Sequence, residues 1–323
     1  MKIGFIGLGN MGTSVANMIA GNGHDVIGYE HNINVVHEIN IKHTNSRFLK
    51  GVKLSSNITA TNDLCKAIDS QMLFFAIPSA FIRKTIEQFG CSIKKDIIIV
   101  NMAKGIEKKT FKTSFQVIGE YFPHAKKVMI SGPSIANEFG KGMPTIVNVA
   151  GTDKQSAAKV IDIITTNTFK AKQSDDIIGI ELGGVLKNIY AVGFGIFDGK
   201  GLKSTNFSSL YLTFALKEMT NLGESLGAKK ETFYGLSGLG DLVATSLSEH
   251  SHNRKLGYYL STGLSHEEIE KNLGVMPEGY NTLVTVLELA NDKKIKMPIA
   301  QALFDVIEGR KSAFDFISMI EEF

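Results

Sequence analysis

The sequence is poor in two features that mark special classes of protein, namely cysteine and charge of one sign. Cys65 and Cys91 are its only two cysteines. They are too few for a disulfide framework and lack the spacing of metal ligands, so we expect two buried, small apolar side chains in a reducing, cytoplasmic setting. The formal net charge is only +3, and the Lys and Arg residues are scattered, which argues against nucleic acid as a partner.

The sequence also lacks an obvious membrane or export segment. No apolar stretch reaches the roughly 18 residues that a membrane helix needs, so we expect no membrane span. The start, MKIGFIGLG, lacks the long apolar region and cleavage site of a signal peptide. Of the 323 residues, 43% are hydrophobic and 21% charged, which is ordinary for a globular protein. At this length two domains are the better expectation.

The first 30 residues carry the pattern of a nucleotide-binding βαβ unit. Residues 2–6 predict a strand, residues 12–20 have apolar side chains at helical spacing, and residues 25–30 predict a second strand. The glycines of the intervening turn follow the spacing G-x-G-x-x-G: Gly7, Gly9 and Gly12. Such glycines permit a tight bend, the close approach of a pyrophosphate to a helix N-terminus, and close packing of helix on strand.

Glu30 closes the second predicted strand. An acidic side chain there would accept hydrogen bonds from the adenosine ribose and repel a 2′-phosphate, which favours NAD while leaving NADP open. The alternative is that Glu30 is only a solvated charge at the end of a strand.

Later apolar runs alternate with helical patterns up to about residue 178 and then give way to helices alone. The strand-like runs are 72–78, 96–105, 127–133 and 144–151, and the later helical stretches are 206–227, 265–273, 281–294 and 299–309. We therefore predict an α/β fold in which a dinucleotide-binding, doubly wound Rossmann sheet over residues 1–178 precedes an all-helical substrate-binding domain over residues 179–323.

Polar residues follow three of the predicted strands. They are Ser79, Lys104, Ser131, Gly132 and Ser134. Because the carboxyl ends of strands line the ligand crevice of a doubly wound sheet, these loops should converge there. Lys104 would then face an anionic or hydroxylic substrate, although a lysine after a strand is often simply solvated.

Lys187 lies within an apolar helical pattern, one turn after Gly183 and Gly184. We expect a lysine in this position to be partly desolvated, which would lower its pKa towards the range useful for proton transfer. Asn188 beside it offers both a donor and an acceptor. The alternative is a lysine whose stem packs in the core while its ammonium reaches water.

Residues 235–257 combine glycines with a dense set of polar side chains, which suits the recognition of a small polar ligand at a helix start. The polar residues are Asp241, Thr245, Ser251, His252, Asn253 and Arg254. His250 and His252 are isolated from other ligand types, so we predict no metal site. The alternative is a plain surface loop.

Taken together, these clusters resemble the NAD(P)-dependent sn-glycerol-3-phosphate dehydrogenase family through essentially the whole chain. The segments that carry the resemblance are GLGNMGTSVA, NGHDV, IPS, AKGIE, SGPSIANEFGKGMPT, GGVLKNIYAVG, DGKG, GLSGLGDL, SHNRKLG, EGYNT and MPI. The resemblance implies a nicotinamide-dependent oxidoreductase that interconverts sn-glycerol 3-phosphate and dihydroxyacetone phosphate, and that supplies glycerol 3-phosphate for phospholipid synthesis. It implies a phosphorylated small-molecule substrate and leaves a homodimer open.

The resemblance also assigns roles to positions of this sequence. Lys187 matches the catalytic lysine, and Lys104 and Asp241 would hold and polarise the reacting carbon. The implied substrate-binding residues are Ser131, Gly132, Ser134, Asn188, Thr245, Ser251, His252 and Asn253. The implied cofactor-binding residues are Gly7, Gly9, Asn10, Met11, Gly12, Glu30, Ser79, Lys104, Ala136, His252 and Glu278.

The sequence departs from the family pattern where the phosphate is held. His252 stands where the family usually has an arginine, and Ser208 and Phe214 also replace common arginines. Arg254 could compensate, although neighbouring residues of a helix point about 100° apart. A dehydrogenase of a related phosphorylated alcohol is therefore one alternative.

Two further alternatives come from other classes of protein. GFIGLGNMG also resembles the start of 3-hydroxyisobutyrate and 6-phosphogluconate type dehydrogenases, but those enzymes expect an asparagine where this chain has Ala191. A nucleotide-binding regulator without turnover is the other; the presence of Lys104, Lys187 and Asp241 together argues against it.

Overall fold

The computed structural model describes residues 1–274 and 276–322, which form two compact units. The first unit comprises Met1–Lys104 and Lys112–Ile177, and the second comprises Gly105–Phe111 and the chain from Ile178 onward. The sequence assigned Gly105–Phe111 to the first domain. It belongs to the second unit because Ile106 is part of that unit's apolar core.

The first unit contains one eight-stranded sheet. Its strands are β1 (Lys2–Ile6), β2 (Asp25–Tyr29), β3 (Ile58–Thr61), β4 (Met72–Phe75), β5 (Ile98–Asn101), β6 (Lys126–Ser131), β7 (Thr145–Gly151) and β8 (Phe169–Gln173). Their spatial order is β3-β2-β1-β4-β5-β6-β7-β8, and every neighbouring pair is parallel except β6 and β7. The predicted doubly wound sheet is confirmed, and the structure adds β3 and β8.

Helices cover both faces of this sheet, which explains why its central strands are apolar throughout. They are α1 (Asn10–Gly21), α2 (Ile33–Lys42), α3 (Leu64–Ile68), α4 (Ile82–Glu87), α5 (Ser114–Tyr121), α6 (Ala136–Phe139) and α7 (Lys154–Ile164), with a 3₁₀ turn at Ser79–Phe81. Successive residues of β4 alternate between two cores: Phe74 packs towards the side of α1, α2 and α7, and Phe75 towards the side of α3, α4 and α5.

The second unit is helical, as predicted. Its helices are α8 (Ile177–Gly199), α9 (Thr205–Ser225), α10 (Lys230–Phe233), α11 (Asp241–Leu247), α12 (His252–Thr262), α13 (His266–Leu273), α14 (Glu278–Asp292), α15 (Pro298–Ile307) and α16 (Ala313–Glu321). A π-helical turn over Leu236–Gly240 leads directly into α11.

The central helix α8 corrects the expectation that no segment is long and apolar enough to cross a membrane. It has 23 residues and meets that criterion by length and composition. However, 89% of its most apolar window is buried inside the protein. Burial of this extent is typical of the core helix of a globular unit, which is apolar on all sides because it packs on all sides.

The two cysteines also differ from the expectation. Cys65 and Cys91 form a disulfide, and both are only half-buried. The spacing of the two residues could not indicate this pairing, because it depends on α3 and the segment after α4 lying side by side. The prediction of two buried, unpaired cysteines was wrong, and the cysteine content gives no support for a reducing setting.

Candidate active site

The glycine-rich turn between β1 and α1 has the geometry of a phosphate cradle. Gly7 has φ +98°, and a Cβ there would lie 2.6 Å from Ile77 Cγ2 and 2.9 Å from the Ala76 oxygen. A Cβ at Gly12 would overlap the Gly7 carbonyl oxygen, so α1 packs directly on the turn. By contrast, among the described residues no heavy atom outside Gly9 and its two chain neighbours lies within 4 Å of a Cβ built at Gly9. The open position is therefore the second glycine of the G-x-G-x-x-G motif, where the backbone approaches a pyrophosphate.

The first turn of α1 also fits an anionic group. Gly9 is the N-cap residue, and among the described residues no side chain caps this helix and no acidic residue lies in its first turn. The amide of Asn10 donates to Asn137 Oδ1 at 3.2 Å, while its own Oδ1 is buried without a described partner. Ala136, which starts α6, accepts a hydrogen bond from Ser14 of α1. The residues present fit a dinucleotide pyrophosphate at this helix N-terminus.

Glu30 follows the end of β2 and is 3% exposed. Its Oε1 accepts a hydrogen bond from the Asn32 backbone N–H and lies 3.0 Å from His31 Nδ1, and the His31 side chain is 81% exposed. The carboxylate is thus held by its own turn beside an exposed imidazole. This is the place in a βαβ unit where the adenosine ribose is recognised.

The loops after β5 and β6 converge, as predicted for strand ends. Lys104 Nζ lies 3.4 Å from the Gly132 oxygen, which also accepts a hydrogen bond from Ser134 Oγ at 2.9 Å. Lys104 and Ser134 line a cavity of about 20 Å³ together with Met11 of the glycine-rich turn. Ser131 Oγ is buried without a described partner. Ser79 begins the 3₁₀ turn after the neighbouring strand β4.

In the second unit, Lys187 lies in the middle of α8 and is 8% exposed. Its Nζ donates to Asp241 Oδ1 at 2.5 Å and to Thr245 Oγ1 at 2.6 Å. Asp241 is 1% exposed and is the first residue of α11, directly after the π-helical turn. The ammonium is therefore held by polar groups that are themselves buried.

A second polar contact joins α8, α12 and α14. The Asn253 amide nitrogen donates to Asn188 Oδ1 at 3.0 Å, and Asn253 Oδ1 accepts from the Gly279 backbone N–H at 2.8 Å. Gly279 lies beside Glu278 at the start of α14. A Cβ at Gly279 would lie 2.5 Å from the backbone carbonyl oxygen of Asn188, so only glycine allows this approach. These contacts fix the orientation of both asparagine amides next to Lys187.

The start of α12 carries the residues predicted to hold the phosphate. Ser251 is the N-cap and accepts a hydrogen bond from the Arg254 N–H. His252 is exposed, and partial desolvation together with the charge of Lys255 lowers the pKa of its imidazole. Arg254 is engaged elsewhere: its Nη2 donates to Asp198 Oδ1 at 2.9 Å, its Nε donates to Oδ2 of the same carboxylate, and this pairing raises its pKa.

Two buried polar residues near these sites had no recognisable signal in the sequence. Asn45 is fully buried and donates to the Leu8 oxygen and Thr13 Oγ1 beside the glycine-rich turn. Glu218 accepts hydrogen bonds from the first turn of α15 and from the Tyr190 hydroxyl of α8, and burial raises its pKa to about 7. Both positions look like ordinary polar residues until the chain is folded.

The arrangement in the second unit can hold and move a proton. A buried ammonium beside a carboxylate and a hydroxyl can protonate an oxygen brought next to it, and the neutral amine that remains takes up a proton from solvent before the next turnover. The residues described in the structure contain no group of three His, Cys, Asp or Glu side chains that could hold a metal ion.

The family models and the sequence relatives that match this chain are described as glycerol-3-phosphate dehydrogenases. Two family models match, described as the N-terminus and the C-terminus of NAD-dependent glycerol-3-phosphate dehydrogenase, over residues 2–157 and 176–318. The chain is 35% identical over 322 residues to the glycerol-3-phosphate dehydrogenase [NAD(P)+] of Clostridium perfringens strain SM101, covering 99% of this chain and 97% of that protein. It is 39% identical over 310 residues to the enzyme of the same name from Carboxydothermus hydrogenoformans, covering 95% and 92% of the two chains.

A solved structure agrees with the sequence relatives. The crystal structure of glycerol-3-phosphate dehydrogenase from Coxiella burnetii superposes with a TM-score of 0.94 at 28% identity, covering 100% of this chain and 99% of that one.

Proposed function

The chain belongs to the NAD-dependent glycerol-3-phosphate dehydrogenase family, and we propose that Lys187 exchanges the proton of the substrate oxygen in its reaction. The protein is an NAD(P)-dependent oxidoreductase that interconverts glycerol 3-phosphate and dihydroxyacetone phosphate. When bound, the nicotinamide supplies or accepts the hydride at C2 of the substrate. A proton must also be exchanged with the substrate oxygen, and Lys187 is the group to which we assign this exchange.

In the direction of reduction, the Lys187 ammonium gives a proton to the carbonyl oxygen as that oxygen gains negative charge. The Asp241 carboxylate, 2.5 Å from Nζ, stabilises the ammonium before transfer, and Thr245 Oγ1 at 2.6 Å restricts its orientation. In oxidation the neutral amine takes the hydroxyl proton back. We propose a catalytic role for Lys104 of the first unit as well, and we propose that the Asn188 and Asn253 amides bind polar groups of the substrate.

The observation that carries this proposal is the buried contact of Lys187 with Asp241 and Thr245. Its test is NADH oxidation by the wild-type protein with dihydroxyacetone phosphate, other ketose phosphates and 2-oxo or 3-oxo acids. Turnover with dihydroxyacetone phosphate above all others supports the proposal. A preference for an oxo acid would favour one of the alternative dehydrogenase classes. No turnover with any of these substrates would favour a nucleotide-binding regulator.

We propose NAD as the preferred dinucleotide because the buried carboxylate of Glu30 opposes a 2′-phosphate. The wild-type protein should show a higher kcat/KM with NADH than with NADPH. Replacing Glu30 by alanine should narrow that ratio by at least about tenfold, since a charge repulsion at contact distance is removed. Measurement of kcat/KM for both dinucleotides tests this.

His31→Ala is the matched control for Glu30→Ala, because it removes the exposed neighbour of the carboxylate while keeping the charge. It should retain the preference for NADH. A wild-type preference for NADPH, or an unchanged ratio in Glu30→Ala, would show that Glu30 does not select the dinucleotide.

We propose that His252 contributes charge to the substrate phosphate only at acid pH. Its pKa lies below the usual 6.5, so the imidazolium is lost as pH rises through that lowered value. The apparent KM for dihydroxyacetone phosphate should rise by about threefold as the imidazolium is lost on the acid side of pH 6.5, and it should stay flat at higher pH. His252→Arg should lower KM at neutral pH and remove the rise, because arginine remains charged.

The phosphate itself titrates near pH 6, so the informative quantity is the difference between the wild-type and His252→Arg profiles. His250→Arg is the control, since it adds the same charge two positions away. If both arginine variants lower KM equally, the effect is general electrostatics and His252 has no specific role. Arg254 is less suited to hold the phosphate, because releasing it would break its double contact with Asp198.

The cellular role follows from the product. Glycerol 3-phosphate is the backbone of phospholipids, so we propose that the protein supplies it for phospholipid synthesis in the cytoplasm. A homodimer is the assembly we propose.

A further inference from the structure

The segment before Asp241 has an unusual backbone. Residues Leu236–Gly240 form a π-helical turn, in which the Gly240 N–H donates to the Gly235 oxygen at 3.1 Å. Asp241 follows this turn immediately as the first residue of α11. Single π turns of this kind are rare and occur frequently at functional sites, because they re-aim the residue that follows.

The π turn lies directly against α8 at Gly183, one helical turn before Lys187. A Cβ built at Gly183 would lie well inside 3.0 Å of the Ser237 carbonyl oxygen and 2.8 Å from its carbon, and real Cβ atoms essentially never come that close to backbone atoms. The atoms that this Cβ would meet belong to the backbone of Ser237, which cannot rotate away as a flexible side chain can. Ser237 is also fully buried. Gly238 is equally constrained on its other side, where a Cβ would overlap the Phe233 backbone.

We infer that Gly183 is a positioning residue that sets the distance between Lys187 and Asp241. The missing side chain lets the π turn approach α8, and this approach brings the Asp241 carboxylate to 2.5 Å from Lys187 Nζ. A methyl group at residue 183 moves the turn, and Asp241 with it, by about an ångström. Because reacting groups misplaced by that distance lose about 100-fold in rate, Gly183 acts on catalysis through Asp241. The inference rests on the proposed role of Lys187 and Asp241.

A double-mutant cycle tests this inference. Gly183→Ala should lower kcat by about 100-fold, while KM for NADH stays within about twofold because the glycine-rich turn lies in the other unit. In an Asp241→Asn background, Gly183→Ala should cost less than about threefold, since the contact that it disturbs is already lost. Thermal unfolding of all variants shows whether each is folded at the assay temperature.

Gly193→Ala is the matched control, because Gly193 lies on the same helix and a Cβ there would overlap the Tyr211 side chain, not the π turn. It should reduce stability by a comparable amount, keep kcat within about threefold and combine additively with Asp241→Asn. Additive losses for Gly183→Ala and Asp241→Asn, or an equal loss of kcat in Gly193→Ala, would overturn the inference. Those outcomes are distinct from failure of the proposed function, in which Asp241→Asn alone would keep its activity.

Discussion

Lys187→Met should lower kcat for the reduction of dihydroxyacetone phosphate by about 100- to 10,000-fold, the usual contribution of a positioned general acid. The thioether fills the space of the lysine stem but has no proton to give to the substrate oxygen. NADH binding, followed by quenching of the dinucleotide fluorescence, should remain within about threefold of the wild type, because the glycine-rich turn lies in the first unit.

Lys187→Met also leaves the Asp241 carboxylate buried without this cation, which should destabilise the second unit by about 3 to 5 kcal/mol. Activity must therefore be measured well below the melting temperature of the variant. Lys217→Met, on the exposed surface of α9, serves as a control for the loss of a lysine. A folded Lys187→Met protein with half the wild-type kcat would show that Lys187 is only a packed helix residue.

Asp241→Asn should lower kcat by about 100-fold. The substitution keeps the shape of the side chain, but it removes the negative charge that stabilises the Lys187 ammonium at 2.5 Å. Without that charge the ammonium, which is the form that protonates the carbonyl oxygen, is less stable, so the loss should appear in the reduction of dihydroxyacetone phosphate. Steady-state kcat and KM in both reaction directions measure it.

Asp198→Asn provides the comparison for Asp241→Asn, since it removes a carboxylate that also pairs with a cation in the second unit. It should weaken the contact with Arg254 and lower stability while keeping most of kcat. Equal losses of kcat in the two variants would mean that general destabilisation, and not the proton-transfer contact, explains the effect of Asp241.

Much of the first unit could be predicted from the sequence, because its central strands are buried on both faces and therefore read as continuous apolar runs. Two strands at the edges of the sheet were missed. β3 has only four residues, ITAT, two of which are threonines, so it does not read as an apolar run although three of the four are buried. The sequence of β8 is FKAKQ, with only Phe169 buried, and polar side chains at an edge leave no hydrophobic pattern. The disulfide could not be predicted either, since Cys65 and Cys91 are 26 positions apart and meet only in the folded unit.

For the candidate site, sequence patterns and the family resemblance proposed residues but could not give their contacts. Lys187 and Asp241 are 54 positions apart, and their contact depends on a π turn for which glycine content is an ambiguous signal. Arg254 illustrates the limit most clearly. The sequence left it as a candidate for binding the phosphate, whereas folding pairs it with Asp198, 56 positions away.

The double variant Lys187→Met/Asp241→Asn tests the central claim, that these two residues act as one proton-transfer unit, most directly. Removing both charges abolishes the unpaired buried group that each single variant leaves, so the double variant should melt at a higher temperature than either single variant. Its kcat should nevertheless stay within about threefold of Lys187→Met, because residues that act as a unit do not lose activity additively. A double variant that regains turnover together with stability would contradict the account, as would one whose loss of activity equals the product of the two single losses.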